Sequence, residues 1–299
     1  ALRWSSAKYP YSGYVRWVGP WENPNTAGLL MGVGLILSVG LALRCLGGVW
    51  KRFAVFLKTG VAVAFLFGVL ILTYRLLLSY SRGAWVATAC GIFFLAAELI
   101  WAKRGRSGSL WLKRNARVAL IAIVCAMTVC VWRSGGVASP SMRRAISIAD
   151  LNDFSVGNRV LAWRGALQIM AEHPWYGCGS DEPETLYEKY YLPSKLDAGA
   201  AIQMNDYLLL GAVCGIPALL CFGIFLWLSA VQIPGGETEE PFGQRSTRTA
   251  CRGAVAALAI GFWFDGGLFE WATAVTFWTL IGLGRESFAT DNGRVNGPS

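Results

Sequence analysis

The groups in this sequence best suited to chemistry are four arginines: Arg75, Arg82, Arg159 and Arg164. A guanidinium is a planar fork that grips a phosphate or diphosphate through paired hydrogen bonds. Arg75 and Arg82 are seven residues apart, so on one helix they would share a face. Arg159 lies one turn before Trp163, close enough for the guanidinium to stack on the indole, while Arg164 projects from another face. The alternative for each is an interfacial arginine that snorkels to lipid headgroups. Gathered at one membrane surface they would form a strongly positive site, and a natural guest is a polyprenyl diphosphate. Other chemistry is poorly supplied. His173 is the one histidine, and with no HExxH-like cluster a protein-built metal site is not expected. Of the eight cysteines, Cys45, Cys90, Cys125, Cys130, Cys214 and Cys221 lie in or beside apolar stretches and fit small buried hydrophobes. Cys178 and Cys251 lie in polar segments and would pair only if both faced one compartment.

The elements that must position these arginines are apolar helices. The chain has 299 residues, 55% hydrophobic and 15% charged, against about 25% charged in soluble domains. Its 14 Trp, 35 Gly and mean hydropathy of +0.44 exclude a disordered chain, a disulfide scaffold and an ordinary cytosolic enzyme. We expect an all-α, polytopic integral membrane protein. Apolar runs at 27–43, 59–81, 83–102, 118–132 and 207–233, with 253–264 and 271–284, predict six or seven spans. We read the last two runs as a hairpin of tilted helices around 265–270, with one long helix the alternative. The expected organisation is an external stretch at 1–24, about four transmembrane helices in 25–132, a long external loop at 133–204, two or three helices in 205–285, and a tail at 286–299.

The loops at 44–58, 103–117 and 234–252 are rich in Lys and Arg, and the first two hold no acid. If the spans alternate, all three fall on one side, which the positive-inside rule makes cytoplasmic. The net charge of +9 is therefore mostly a topology signal, and nucleic acid is not an expected partner. The partner that composition does imply is the lipid bilayer. The chain opens Ala1-Leu2-Arg3 with no signal peptide, and we expect earlier spans to precede it.

The external loop has nearly balanced charge, and within it 157–172 has helical spacing. Val160, Trp163, Leu167 and Met170 would make its apolar stripe, Ser155 or Asn158 its N-cap, and Pro174, Gly177 and Gly179 its end. Such a helix would lie at the membrane surface or cap the spans. Asn23-Pro24-Asn25 most simply breaks the chain and caps the first span, with Asn25 also a candidate substrate ligand. Tyr187, Tyr190 and Tyr191 fit an interfacial aromatic belt or a sugar-stacking wall. Asp265 and Glu270 fit a turn, where a carboxylate facing the external side could also act as a base. Gly211, Gly215 and Gly223 fit close helix packing.

Five segments in order carry a resemblance: 21–28 (WENPNTAG), 78–85 (LSYSRGAW), 158–163 (NRVLAW), 173–179 (HPWYGCG), and 205–208 (NDYL) followed by 215–220 (GIPALL). Together, over roughly 20–285, they resemble the O-antigen ligase and polymerase (Wzy/WaaL-like) superfamily. The resemblance implies a GT-C-like helical bundle and a metal-independent glycosyltransferase without a cofactor, in the bacterial inner membrane with a periplasmic active face. The implied donor is an undecaprenyl-diphosphate-linked glycan; the implied acceptor is lipid A–core for a ligase or another lipid-linked glycan for a polymerase. Arg82 and Arg159 inherit the family's essential arginine roles; beside what the resemblance implies, we take Arg75, Arg164, Trp163, Asn205 and Asn25 as candidate substrate ligands. Inversion at the anomeric carbon follows from attack opposite the departing diphosphate.

The sequence departs from the family where the loop re-enters the membrane. The family has His-Asn there, and this chain has Met204-Asn205; nine residues on, a common Glu is Val213. A thioether takes no proton at neutral pH. Asp206 is the nearest carboxylate to replace the base, and His173 is a second candidate in a turn that looks structural. Otherwise the base is dispensable with a good leaving group, or the chain is a non-catalytic member. A lipid-linked-glycan transporter or flippase is the alternative from another class.

Overall fold

The computed structural model describes residues 8–11, 14–21, 23–46, 55–101, 154–179, 205–231, 242–264 and 266–285. The described chain is almost entirely helical. The exception is a short antiparallel hairpin, β1 (Lys8–Tyr11) and β2 (Tyr14–Trp17), followed by a 3-10 turn at Gly19–Trp21. The helices are α1 (Pro24–Leu46), α2 (Val55–Leu78), α3 (Arg82–Trp101), α4 (Phe154–Glu172), α5 (Asp206–Cys214), α6 (Ile216–Val231), α7 (Phe242–Phe264) and α8 (Trp271–Arg285). The expected span at 118–132, Met204, Asp265 and Tyr187, Tyr190 and Tyr191 lie outside the described residues.

Helix α1 is the central post, and α2, α3 and α7 pack directly on it. It starts as its sequence dictates: the Asn23 Oδ1 accepts the Asn25 N–H at 2.8 Å, and Pro24 takes the first helical position, where no N–H is needed. Its buried stripe of Leu29, Val33, Ile36, Val39 and Leu43 meets Ala250, Ala254, Ala257, Leu258 and Phe262 of α7. Helices α3 and α7 cross backbone to backbone: a Cβ on Gly91 would sit 2.7 Å from the Gly253 carbonyl oxygen. Small residues allow this approach, and dispersion and packing hold it. Among the described residues, Pro24–Cys45 is the one helix long and apolar enough to cross a membrane; Val63–Leu78 and Ile216–Ala230 are apolar but shorter.

Several expectations need correction. The run at 207–233 is not one helix. Gly215, at φ +88°, ends α5, and α6 starts as a separate helix at Ile216. Arg75 and Arg82 do not share a helix face, because the chain reverses between them at Ser79–Ser81. The last two runs do form a helical hairpin, but its first helix begins at Phe242, well before the apolar stretch. Helix α4 begins at Phe154, so Ser155 and Asn158 lie inside it rather than capping it. Its apolar stripe is also rotated. Val160 and Leu167 are exposed, and the buried face is Ala162, Ala166, Ile169 and Met170. The reason is close approach: Met170 packs over Gly211 of α5, where larger side chains along the interface would hold the helices apart.

Candidate functional site

Helix ends converge at one end of the bundle. The α2–α3 reversal is built from its own side chains. Ser79 Oγ donates to the Leu76 carbonyl at 2.7 Å, and Ser81 Oγ caps α3 by accepting the Ala84 N–H at 3.2 Å. Tyr80 turns the corner at φ +50°, and Trp85 Nε1 donates back to the Leu76 carbonyl at 2.9 Å. The LSYSRGAW segment is thus a self-capped turn that delivers Arg82 to the first position of α3. Arg82 is 8% exposed. A cation at a helix N-terminus adds to the positive end of the helix dipole, and that end favours an anion.

Two more guanidiniums meet this turn. Arg75, in the last turn of α2, lies over the Trp17 ring at 5.1 Å. Arg16, on β2, donates from Nε to the Ser79 carbonyl at 2.8 Å and from Nη2 to Asn25 Oδ1 at 2.6 Å. Arg16 was not among the sequence candidates. It lies outside every quoted motif, and the only signal for it was a position between aromatic residues in the N-terminal stretch.

A second cluster lies across the first turn of α1. Asn205 caps α5: its Oδ1 accepts the N–H groups of Tyr207 and Leu208 at 3.0 and 3.1 Å. Asp206 is 2% exposed, and its Oδ2 accepts the backbone N–H groups of Gly267 and Leu268 at 2.8 and 2.7 Å. Glu270, in the same α7–α8 turn, accepts the Thr26 hydroxyl at 2.7 Å. Neighbours in α1 therefore join the clusters, Asn25 reaching Arg16 and Thr26 reaching Glu270.

Aromatic rings back this second cluster. Trp163 of α4 meets Trp263 edge-on at 6.0 Å, Trp263 lies 5.9 Å from Tyr207, and Tyr207 lies 6.0 Å from Phe222. Two N–H donors here, Trp163 Nε1 and Asn205 Nδ2, are buried and make no hydrogen bond. Buried donors are almost always satisfied, so each of these two N–H groups is available to an oxygen of a water or of a ligand. Arg159 is half-buried on α4, one turn before Trp163, and Arg164 is exposed on the same helix. The structure thus brings together Arg75, Arg82 and Asn25 with the unforeseen Arg16. It places Asn205, Asp206 and, through Trp263, Trp163 beside them.

His173 begins a turn that docks on the α5–α6 break. The N–H groups of Cys178 and Gly179 donate to the Ala212 and Val213 carbonyls at 2.9 and 3.1 Å, and the Ile216 N–H donates to the Pro174 carbonyl at 2.8 Å. The fit excludes side chains: a Cβ on Gly177 would come within 2.3 Å of Val213, and one on Gly215 within 2.4 Å of the Trp175 oxygen. The exposed His173 side chain stands outside this interlock. Cys178 and Cys251 are both free; against expectation Cys251 is buried, while Cys214 and Cys221, read as buried hydrophobes, are exposed.

The family model described as O-antigen ligase matches residues 67–223, more than half of the chain. That stretch contains Arg75, Arg82, Arg159, Trp163, Arg164, Asn205 and Asp206, but neither Arg16, Asn25 nor Glu270. No curated protein matches at a significant level.

Proposed function

The chain belongs to the O-antigen ligase family, and from that premise we propose that it moves a glycan from undecaprenyl diphosphate to an acceptor hydroxyl at the periplasmic face of the bacterial inner membrane. The family supports a glycosyltransferase-like ligase activity, a lipid-linked glycan, an acceptor and a membrane setting in general terms. The observation that carries the finer proposal is the meeting of Arg16, Arg75 and Arg82 around one turn. Orphaned N–H donors of Asn205 and Trp163 lie at the same end.

In this proposal Arg82 and Arg159 hold the diphosphate and offset the negative charge that grows on it as the anomeric C–O bond breaks. Arg75 supplies further positive field, and Arg164 meets the glycan or headgroups from its exposed position. Arg16 and Asn25 hold the turn that carries Arg82. Asn205 and Trp163 donate to sugar or phosphate oxygens. The acceptor oxygen attacks the anomeric carbon opposite the leaving group and inverts it. Undecaprenyl diphosphate departs with the bonding pair, and the acceptor proton passes to water. Asp206, with Oδ2 taken by two backbone amides, positions the α7–α8 turn rather than removing that proton.

Embedding of the whole bundle in a membrane is supported by what faces outward. Phe67, Phe93, Leu220, Ile224, Trp227 and Trp271 are all exposed on the described helices. In water such a surface would drive association, whereas in lipid it is solvated. The Arg82 end then faces the periplasm. The opposite end, with Arg44, Arg245, Arg248, Arg252 and Arg285, faces the cytoplasm.

Arg82→Ala and Arg159→Ala are each expected to lower transfer about 10²–10³-fold at equal expression. Unchanged surface glycan in both strains removes the proposal. The deletion strain separates the acceptors: free lipid A–core beside long lipid-linked chains marks a ligase, and single repeats mark a polymerase. Lipid flipping by the purified protein without transfer would instead favour a flippase.

A further inference from the structure

The chemistry described above leaves Glu270 unused. This residue is half-buried in the α7–α8 turn. Its Oε2 accepts the Thr26 hydroxyl at 2.7 Å, and its Oε1 has no partner among the described residues. The carboxylate is held from two sides. Thr26 is 2% exposed in the first turn of α1, so the hydroxyl that grips Oε2 is itself fixed by packing. On the other side, the Glu270 N–H donates to the Gly267 carbonyl at 3.3 Å, and the Glu270 carbonyl accepts the Ala274 N–H at 2.8 Å. Asp206 grips the Gly267 and Leu268 amides of the same turn. A general base needs a carboxylate oxygen that is held in place yet open to a substrate proton. Asp206 Oδ2 is filled by two amides, whereas Glu270 Oε1 is open to a substrate.

The first turn of α1 stands between Glu270 and the turn that carries Arg82. Thr26 reaches Glu270. Gly28, about 200° further round the helix, faces the α2–α3 reversal: a Cβ there would lie 2.5 Å from Ser79 Oγ and 3.0 Å from the Ala84 Cβ. The two sides are therefore separated by on the order of one helix diameter, about 10 Å. An inverting transfer needs such a gap, because the base and the groups that grip the leaving diphosphate work from opposite faces of the sugar ring. Inverting glycosidases place their two carboxyl groups about 6.5–9.5 Å apart for a similar reason. We propose, on the premise of the transfer reaction above, that Glu270 is its general base, with Oε1 taking the proton of the acceptor hydroxyl. A lone pair of the acceptor oxygen forms the bond to the anomeric carbon as the bond to the diphosphate oxygen breaks, and the diphosphate leaves with that pair. The hydroxyl proton moves to Oε1. Glu270 then releases it to water, which restores the carboxylate.

The test uses the purified full chain in lipid nanodiscs. The donor is an undecaprenyl-diphosphate-linked glycan, and the acceptor is lipid A–core or a second lipid-linked glycan. Glu270→Gln keeps an oxygen for the Thr26 hydroxyl, so its melting temperature and its KM for the donor are expected to hold while kcat falls about 10²–10⁴-fold. Formate, a small carboxylate base, is expected to restore part of the rate lost in Glu270→Ala and none of that lost in Arg82→Ala. Glu270→Gln carries the test if Glu270→Ala does not fold. Three results would each overturn the assignment: an unchanged kcat in Glu270→Gln, a kcat that falls only together with the melting temperature, or a folded Glu270→Ala that formate does not rescue. Transfer that survives in Glu270→Gln but is lost in Arg82→Ala removes this base alone. A wild-type chain that transfers nothing removes the base together with the proposed reaction.

Discussion

Arg16 is a positioning residue of unusual economy, because one side chain ties a hairpin, a helix start and a helix reversal together. Its guanidinium reaches the Ser79 carbonyl and the Asn25 side chain from two different nitrogens. A lysine ammonium is a point donor and cannot span that pair in the same way. Arg16→Ala is expected to cost about 1–3 kcal/mol by leaving both acceptors without this donor, read as a lower melting temperature. Arg16→Lys is expected to recover only part of it. Asp206 allows a sharper distinction. As an anchor it needs only an oxygen that accepts from Gly267 and Leu268, and an asparagine keeps one. Asp206→Asn is therefore expected to retain most transfer, whereas Asp206→Ala loses stability and activity together. A general base would behave differently, since its loss costs about 10²–10⁴-fold in rate. A fall of that size in Asp206→Asn at unchanged melting temperature would return the carboxylate to the chemistry.

At the scale of elements, the α5–α6 break and the 173–179 turn complete each other. Interrupting a helix exposes carbonyls at one end and N–H groups at the other. Here Cys178 and Gly179 answer the α5 carbonyls, and Pro174 answers the Ile216 N–H. Gly215→Ala would place a methyl group at φ +88° against the Trp175 carbonyl. The backbone strain alone is of order 1–3 kcal/mol, and the clash adds to it. We expect a lower melting temperature and faster protease cleavage near Trp175 and Tyr176, both highly exposed. An unchanged melting temperature would mean that the turn and the break are not mechanically coupled. Because α4 leads directly into this turn, loosening it is also expected to free Trp163 from its edge-on contact with Trp263.

For the molecule as a whole, the two ends are chemically distinct, and the proposed membrane embedding would put them on opposite sides. Tyr176 is 88% exposed in the turn that docks on the α5–α6 break, and Arg285 is exposed at the end of α8 away from Arg82. With the native cysteines replaced, Tyr176→Cys is expected to react with a membrane-impermeant maleimide in cells with a permeabilised outer membrane. Arg285→Cys is expected to react only after the inner membrane is opened. Labelling of both from one side would dismiss the topology. Local chemistry in the chain was enough to specify the apolar helices, the cap at Asn23, the α7–α8 hairpin and the arginine-bearing motifs, because each depends on neighbours within a few residues; the break at Ser79–Ser81 was not read from it. Tertiary structure alone decided the rest. Whether Gly215 breaks a helix depends on carbonyls and amides supplied by 174–179. Which face of α4 is buried depends on the glycine it meets in α5. Arg16 enters the site only because its acceptors, distant in sequence, are brought beside it by packing. Hydrophobic periodicity records how apolar a face is, but not how closely a partner must approach, and here close approach set the geometry.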